Sequence, residues 1–278
     1  MPEVEIGGAR LFYRLEGDKA PLLLIPGLGM DHSYYNFGIP LLARHFAVYA
    51  VDPIGIGQSS KPAPPYSVEG WADDFAALIE KLGRGPVHVL GSSLGGAMAL
   101  ALAVRHPAAV KSLIVVGGFS ELDRATEMNF RLRLRLIDKL GLGDEVADYM
   151  GLWTLTRNFI NSDRGLAVMR ANQANIRSNS VELYRAFVLS LLRWGRCEPE
   201  QHAEPKFTSE LGKIRAPTLV VTSDNDHLIP ASLSELIAAK VIGARLSVLS
   251  GAGHIPFMEQ PDKVVPLVVD FINSLPVR

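Results

Sequence analysis

A chain of 278 residues with a formal net charge of −1 and 21% charged residues is long enough for one large domain, or one domain with an inserted lobe, and has no bulk charge to attract nucleic acid or an anionic membrane. Its 48% apolar content is that of an ordinary globular protein. A single cysteine, Cys197, excludes an internal disulfide and any cysteine-cluster metal site.

The opening residues do not read as a signal peptide. Residues 4–6 and 11–15 read instead as an antiparallel pair around a Gly7-Gly8 turn. Strand-like runs follow at 22–25, 46–51, 87–90 and 113–116, and again at 218–222 and 246–249. These later runs are nearly continuous in apolar residues. That marks strands buried on both faces, as in a mostly parallel sheet covered by helices.

Helical stretches fall between them. Residues 68–82 follow Ser67, with Glu69, Asp73 and Asp74 early in the segment. Residues 94–105 run up to His106-Pro107, 231–240 follow Pro230, and 262–275 come last. Alternating strands and helices predict an α/β fold with a doubly wound sheet. The longest apolar run, residues 97–104, is too short to span a membrane. The expected setting is cytoplasmic and the expected partner a small-molecule substrate.

The alternation breaks between 120 and 206. Phe130, Leu134 and Ile137 fall on one helical stripe, and Arg131, Arg135 and Asp138 on another. Leu132 and Leu134 alternate with arginines, so the weaker reading there is a strand. The expected organisation is a core of 1–119 and 207–278 with a helical cap or lid at 120–206. A cap would cover a site; an extra lobe would touch no substrate.

The sharpest local signal is Gly91-Ser92-Ser93-Leu94-Gly95, a G-x-S-x-G pattern. Such patterns arise by chance, but this one lies between a strand-like run and a strong helix former. A nucleophile elbow needs that setting. The glycines leave room for a sharp turn that exposes the Ser93 hydroxyl. The next N–H, that of Leu94, opens a helix and suits a developing negative charge. A second donor, the Leu28 N–H, is expected from the strand-to-turn segment 22–29.

A serine hydroxyl needs a base. His88 lies within a strand, His106 at a helix end, and His45 and His202 have no supporting context. His32 would sit at the rim. His254 follows a strand in the loop Gly251-Ala252-Gly253-His254-Ile255-Pro256, where a base can reach over the sheet. Asp224 or Asp226, in the loop after 218–222, would orient it. The order Ser, Asp, His differs from that of two other common triads.

These segments together resemble the α/β-hydrolase superfamily, in its branch of cap-bearing esterases, lactonases, cofactor-free haloperoxidase-like enzymes and carbon–carbon bond hydrolases. Pro26-Gly27-Leu28-Gly29 resembles the oxyanion loop. Residues 51–59 resemble the family's aspartate-led, glycine-rich loop, 91–96 its elbow, 219–230 its acid loop, and 251–261 its histidine loop. The resemblance covers 4–119 and 206–278, and its spacing to Pro230 selects Asp226 over Asp224.

Pro26 stands where many members have histidine, and Ser223 where glycine is common. Serine rather than aspartate at position 93 disfavours dehalogenase and epoxide hydrolase chemistry. The resemblance implies a serine hydrolase for a small, largely apolar ester or lactone, acting through Ser93, Asp226 and His254 without cofactor or metal. The alternative is a C–C hydrolase of ring-cleavage products. Residues 33–37 resemble those enzymes, but Ile255 stands where they carry an aromatic. A third reading is a non-catalytic ligand-binding protein of the same fold.

Trp153, Phe159, Phe187 and Trp194 are candidates for the pocket wall, against a plain packing role. Arg157, Arg177 and Arg193 would bind a carboxylate or lie solvated at the surface.

Overall fold

A computed structural model describes residues 2–195 and 207–276. The expected cap boundary at 206, Cys197 and His202 lie outside the described residues. Eight strands form one sheet: β1 (Glu3–Ile6), β2 (Ala9–Glu16), β3 (Ala20–Ile25), β4 (Phe46–Asp52), β5 (Val87–Ser92), β6 (Val110–Val116), β7 (Thr218–Ser223) and β8 (Arg245–Leu249). Their spatial order is β1-β2-β4-β3-β5-β6-β7-β8. β1 and β2 pair antiparallel, β2 runs antiparallel to β4, and the remaining pairs are parallel.

In chain order the helices are α1 (Ile39–Leu42), α2 (Val68–Leu82), α3 (Leu94–Arg105), α4 (Arg124–Leu140), α5 (Asp144–Thr154), α6 (Arg157–Ile160), α7 (Asp163–Ser178), α8 (Val181–Gly195), α9 (Ala231–Lys240), α10 (Pro256–Glu259) and α11 (Pro261–Asn273). Their ends follow local chemistry. The Ser67 side chain accepts from the Gly70 N–H at 3.0 Å to start α2, and Gly83 closes it at φ 61°. Asp123 caps α4 through the Thr126 N–H at 2.7 Å. The stretch containing Leu132 and Leu134 is therefore helix, not strand.

Successive residues of a strand face opposite sides of the sheet. In β3, Leu23 and Ile25 join the core packed by α2 and α3, while Leu22 and Leu24 join the one packed by α1 and α11. Both faces are buried, so β3 and the wholly buried β4 need apolar residues throughout. β8 departs from this expectation. It is an edge strand, with Leu246 41% and Val248 52% exposed.

Helices α4–α8 lie between β6 and β7. This insertion is anchored at its base. The Leu122 N–H donates to Gly195 O at 3.1 Å, and Phe187 packs against Tyr66 and Trp71 with centroids at 5.0 and 5.7 Å. Among the described residues no helix is long and apolar enough to cross a membrane.

Candidate active site

Sheet order places the site. From β3 the chain moves to β4 on one side, and from β5 to β6 on the other. The loops after β3 and β5, neighbours in the sheet, therefore part company above their carboxyl ends. Ligands bind at such a switch point in open α/β sheets. The loops after β7 and β8 rise along the same edge.

After β5 the chain turns sharply into α3. Ser93 has φ 55° and ψ −122° and is the one non-glycine residue with positive φ among the described residues. Such a backbone costs about 1–3 kcal/mol and persists where its surroundings enforce it. Here the Ser93 N–H donates to Val116 O at 2.9 Å. A Cβ on Gly91 would stand 2.1 Å from Gly95 O, and one on Gly95 2.3 Å from Ile25 O. Only glycine lets strand, turn and helix approach this closely.

His254 Nε2 lies 2.8 Å from Ser93 Oγ, and His254 Nδ1 lies 2.7 Å from Asp226 Oδ2. All three residues are buried. The other carboxylate oxygen of Asp226 accepts the Leu228 and Ile229 N–H groups at 2.9 and 2.8 Å, which fixes the carboxylate. Asp224 does a different job. It accepts from Ser250 Oγ at 2.9 Å and from the Gly251 N–H at 2.7 Å, tying down the histidine loop from behind. A hydroxyl, imidazole and carboxylate in this line can pass a proton from oxygen to nitrogen while the carboxylate steadies the imidazolium.

Two further ties hold the histidine loop to the insertion. The His254 N–H donates to Thr154 O at 2.8 Å. Glu259 accepts from the Thr156 N–H and Oγ1 at 3.0 and 2.8 Å. Burial pushes the Glu259 carboxyl above its ordinary value, against the Thr156 and Gly253 hydrogen bonds that favour its charged form. Glu259 thus connects the end of α5 to the loop that carries the imidazole.

A cavity opens over Ser93 and His254. Gly27, Leu28 and Met30 line one side from the loop after β3, and Leu228 and Ile255 another. The insertion supplies the roof: Phe130 and Arg133 from α4, Met150 from α5, Ile176 from α7 and Tyr184 from α8. The lining is largely apolar. Tyr34, also in the wall, has its phenol 2.7 Å from Ser92 Oγ, and burial raises its pKa.

None of the four expected wall aromatics lines this cavity. Phe187 is fully buried against Tyr66 and Trp71. Trp194 packs against Phe207, ring centroids 4.0 Å apart. Phe159 sits under the Arg164 guanidinium, and Trp153 is 39% exposed. Phe187 and Trp194 went to packing seams, where large rings bury most area. The expected arginines also lie elsewhere: Arg157 is exposed, Arg177 pairs with Asp144, and Arg193 donates to Tyr66 O at 2.9 Å. Arg133, which sequence reasoning passed over, lines the cavity. Its signal was an arginine at i+3 from Phe130 and i−4 from Ile137, on the apolar stripe of α4.

His32 is not in the wall. Its N–H and Nδ1 both meet Asp52 Oδ1, at 2.8 and 2.7 Å, and the Gln58 N–H takes Oδ2 at 2.8 Å. The Asp52 hydrogen bond raises the His32 pKa. Asp31, His32 and Asp52 bring three potential metal-ligand atoms within 4.8 Å of one another. The Asp52 oxygens, and one oxygen of Asp31 through the Ser33 N–H, already accept protein N–H groups, and the cluster holds the loops after β3 and β4 together.

Residues 20–261 match the family model described as the alpha/beta hydrolase fold, and the chain belongs to this family. It is 28% identical to a 2-hydroxymuconate semialdehyde hydrolase of Pseudomonas sp. (strain CF600), over 97% of this chain and 93% of that one. It is also 28% identical to a proline iminopeptidase of Lactobacillus crispatus (strain ST1), over 96% of each. A thermophilic esterase from Thermogutta terrifontis superposes with a TM-score of 0.85 at 25% identity, covering 99% of both chains. Proteins named as a semialdehyde hydrolase, an iminopeptidase and an esterase therefore resemble the chain along nearly its whole length.

Proposed function

We propose that the protein is a serine hydrolase that cleaves a small, largely apolar carboxylic ester or lactone through an acyl-enzyme on Ser93. The observation that carries this reading is the continuous line Ser93 Oγ–His254–Asp226 opening into an apolar cavity. Ser93 attacks the carbonyl while His254 takes its proton. The Leu28 and Leu94 N–H groups hold the oxyanion; Leu94, the first residue of α3, has no intrahelical acceptor for its N–H. His254 then protonates the leaving group, and water attacks the acyl-enzyme with His254 again as base. Asp226 stabilises the imidazolium without taking the proton. Helices α4–α8 act as the cap that shields the acyl-enzyme and shapes the cavity.

The test is a panel of aryl esters and lactones, with organophosphonate labelling read by mass spectrometry. Turnover together with a single adduct on Ser93 is the expected result. Labelling elsewhere, or ligand binding without any turnover, overturns it in favour of a binding protein. The C–C hydrolase reading draws on the semialdehyde hydrolase relative and on the buried arginine of the cavity. A ring-cleavage dienoate in the same panel separates the two: cleavage of the dienoate well above every ester selects the C–C reading.

A further inference from the structure

Every charged side chain removed from water is expected to find a partner or to be held for one. The insertion follows this rule at its surface. Arg131 pairs with Glu127, Arg177 with Asp144 and Arg185 with Asp138. Arg133 does not. It is 3% exposed and has no carboxylate partner among the described residues. Its neighbours are neutral: Tyr184 Oη at 3.4 Å, Asn129 Oδ1 at 3.3 Å, and the face of Phe130 at 4.8 Å.

These contacts are long, and they leave donors unused. Among the described residues Arg133 Nε has no hydrogen-bond partner, and neither does Asn129 Nδ2 beside it. A guanidinium stays charged in a protein and accepts nothing, so both orphaned groups call for an acceptor. Arg133 also lines the cavity above Ser93, and among the described residues that lining contains no lysine, no second arginine and no carboxylate. Tyr184, which Arg133 touches, lies over Gly29; a Cβ on Gly29 would meet the Tyr184 ring at 2.5 Å. One tyrosine therefore separates the guanidinium from the loop expected to hold the oxyanion.

We infer that Arg133 is the recognition group for a single carboxylate carried by the substrate at the end remote from its scissile carbonyl. This rests on the serine-hydrolase reading and narrows its substrate class to esters or lactones that also bear a free acid. A carboxylate fits better than a phosphate. It brings one negative charge to one cation, and it offers two coplanar oxygens to the guanidinium edge. The apolar walls accommodate the carbon skeleton between the acid and the carbonyl.

The test compares monoaryl glutarate and succinate, each with a free carboxylate, with the neutral aryl alkanoates of matching length, using the full-length protein. Wild type is expected to favour the acid esters in kcat/KM. Arg133→Met is expected to lower the acid-to-neutral ratio on the order of 10²-fold, as for a buried charged hydrogen bond lost from one side. Arg133→Lys, which keeps the charge and loses the fork, should fall between. A structural arginine would lower both substrate classes and leave the ratio unmoved, and that outcome overturns the proposal. So does a wild-type enzyme that prefers the neutral esters. Should Arg133→Met fail to fold, the Lys variant and the wild-type preference still decide.

Calorimetric titration of Ser93→Ala with glutarate, with and without Arg133→Met, separates the two levels of inference. Arg133-dependent binding in a chain that hydrolyses no ester keeps the subsite and sinks the esterase reading. Ester turnover with no Arg133-dependent binding does the reverse.

Discussion

The carboxyl edge of the sheet and the roof above it solve different problems with the same chain. At the sheet edge every group of the Ser93–His254–Asp226 line is fixed by backbone: a strained turn, two N–H donors on Asp226, and a Thr154 carbonyl on the His254 N–H. In the roof, side chains from α4, α5, α7 and α8 face the cavity, and its arginine, Arg133, has no carboxylate partner among the described residues. On the proposed reading the edge holds the reacting atoms still and the roof is there to be filled. Bond-making is thus expected to survive changes in the roof, and substrate choice to survive changes along the edge.

The strongest way to break this contrast is to remove the proposed nucleophile. Ser93→Ala is expected to lower kcat by on the order of 10⁴-fold or more while the cavity still binds ligand. Calorimetric binding beside the kinetic assay checks both halves. The same site tests the strain. Glycine adopts the backbone of Ser93 more readily than alanine, and Ser93 makes no side-chain cap hydrogen bond to α3 that either would lose. Ser93→Gly is expected to exceed Ser93→Ala in stability by about 1 kcal/mol by denaturant unfolding. An equal pair would mean that the turn is not strained.

Phe187 sharpens the contrast from inside the insertion. It belongs to α8, yet it is fully buried against Tyr66 and Trp71 and away from the cavity. Phe187→Ala is expected to lower stability by roughly 3–5 kcal/mol and to leave the ranking of substrates as it was. A changed ranking with little loss of stability would place it in the roof after all.

Glu259 joins the two regions, and its effect is smaller. Without its carboxylate the Thr156 N–H and hydroxyl lose their acceptor, and the loop carrying His254 loosens against α5. Misplacement of a catalytic group by about 1 Å costs up to about 10²-fold. Glu259→Ala is expected to lower kcat by roughly 10- to 10²-fold with KM little changed, and Glu259→Gln, which keeps an acceptor oxygen, to recover much of it. Equal losses in the two variants would show that acceptor geometry is not what matters there.

The difference between the regions also explains what was legible in the sequence. The helices at 68–82, 94–105 and 231–240 have those same bounds in the structure, because caps, prolines and apolar stripes act locally. The elbow and the histidine loop were legible because close backbone approach requires glycine at fixed spacing. Asp224 and Asp226 were not separable from residue types alone. Each accepts hydrogen bonds in a turn, and only the fold decides which one meets the imidazole. The roof was misread for a physical reason. Size and apolarity drew attention to Trp153, Phe159, Phe187 and Trp194, whereas the cavity took Met150, Ile176 and Tyr184. Packing seams claimed Phe187 and Trp194, and which helix face meets the site depends on tertiary placement. Exposed β8 shows the same limit, since an apolar run does not reveal whether a strand ends up at an edge.

A further expected effect concerns acid stability, and its lead group lies in the sheet core. His88, on β5, is buried with Nδ1 2.8 Å from Ser112 Oγ. Burial first, and Lys111 second, push its pKa down from 6.5 to about 4. The folded protein therefore binds fewer protons at this site than the unfolded chain does. The stability His88 contributes is complete above about 6.5 and is lost as pH falls toward 4. Asp74 acts with the opposite sign. Burial and the neighbouring Asp73 raise its pKa to about 6, so the fold holds its proton more tightly and stability from this group falls as pH rises through that value. The wild-type profile is the sum of the two, and the informative quantity is a difference. His88→Gln keeps a polar group toward Ser112 and does not titrate. Between pH 6.5 and 4 wild type should lose on the order of 1–3 kcal/mol more than this variant, read from urea midpoints at fixed slope. Parallel profiles for the two proteins would mean that the acid-labile group lies elsewhere, with the carboxylates of the insertion next to be tested.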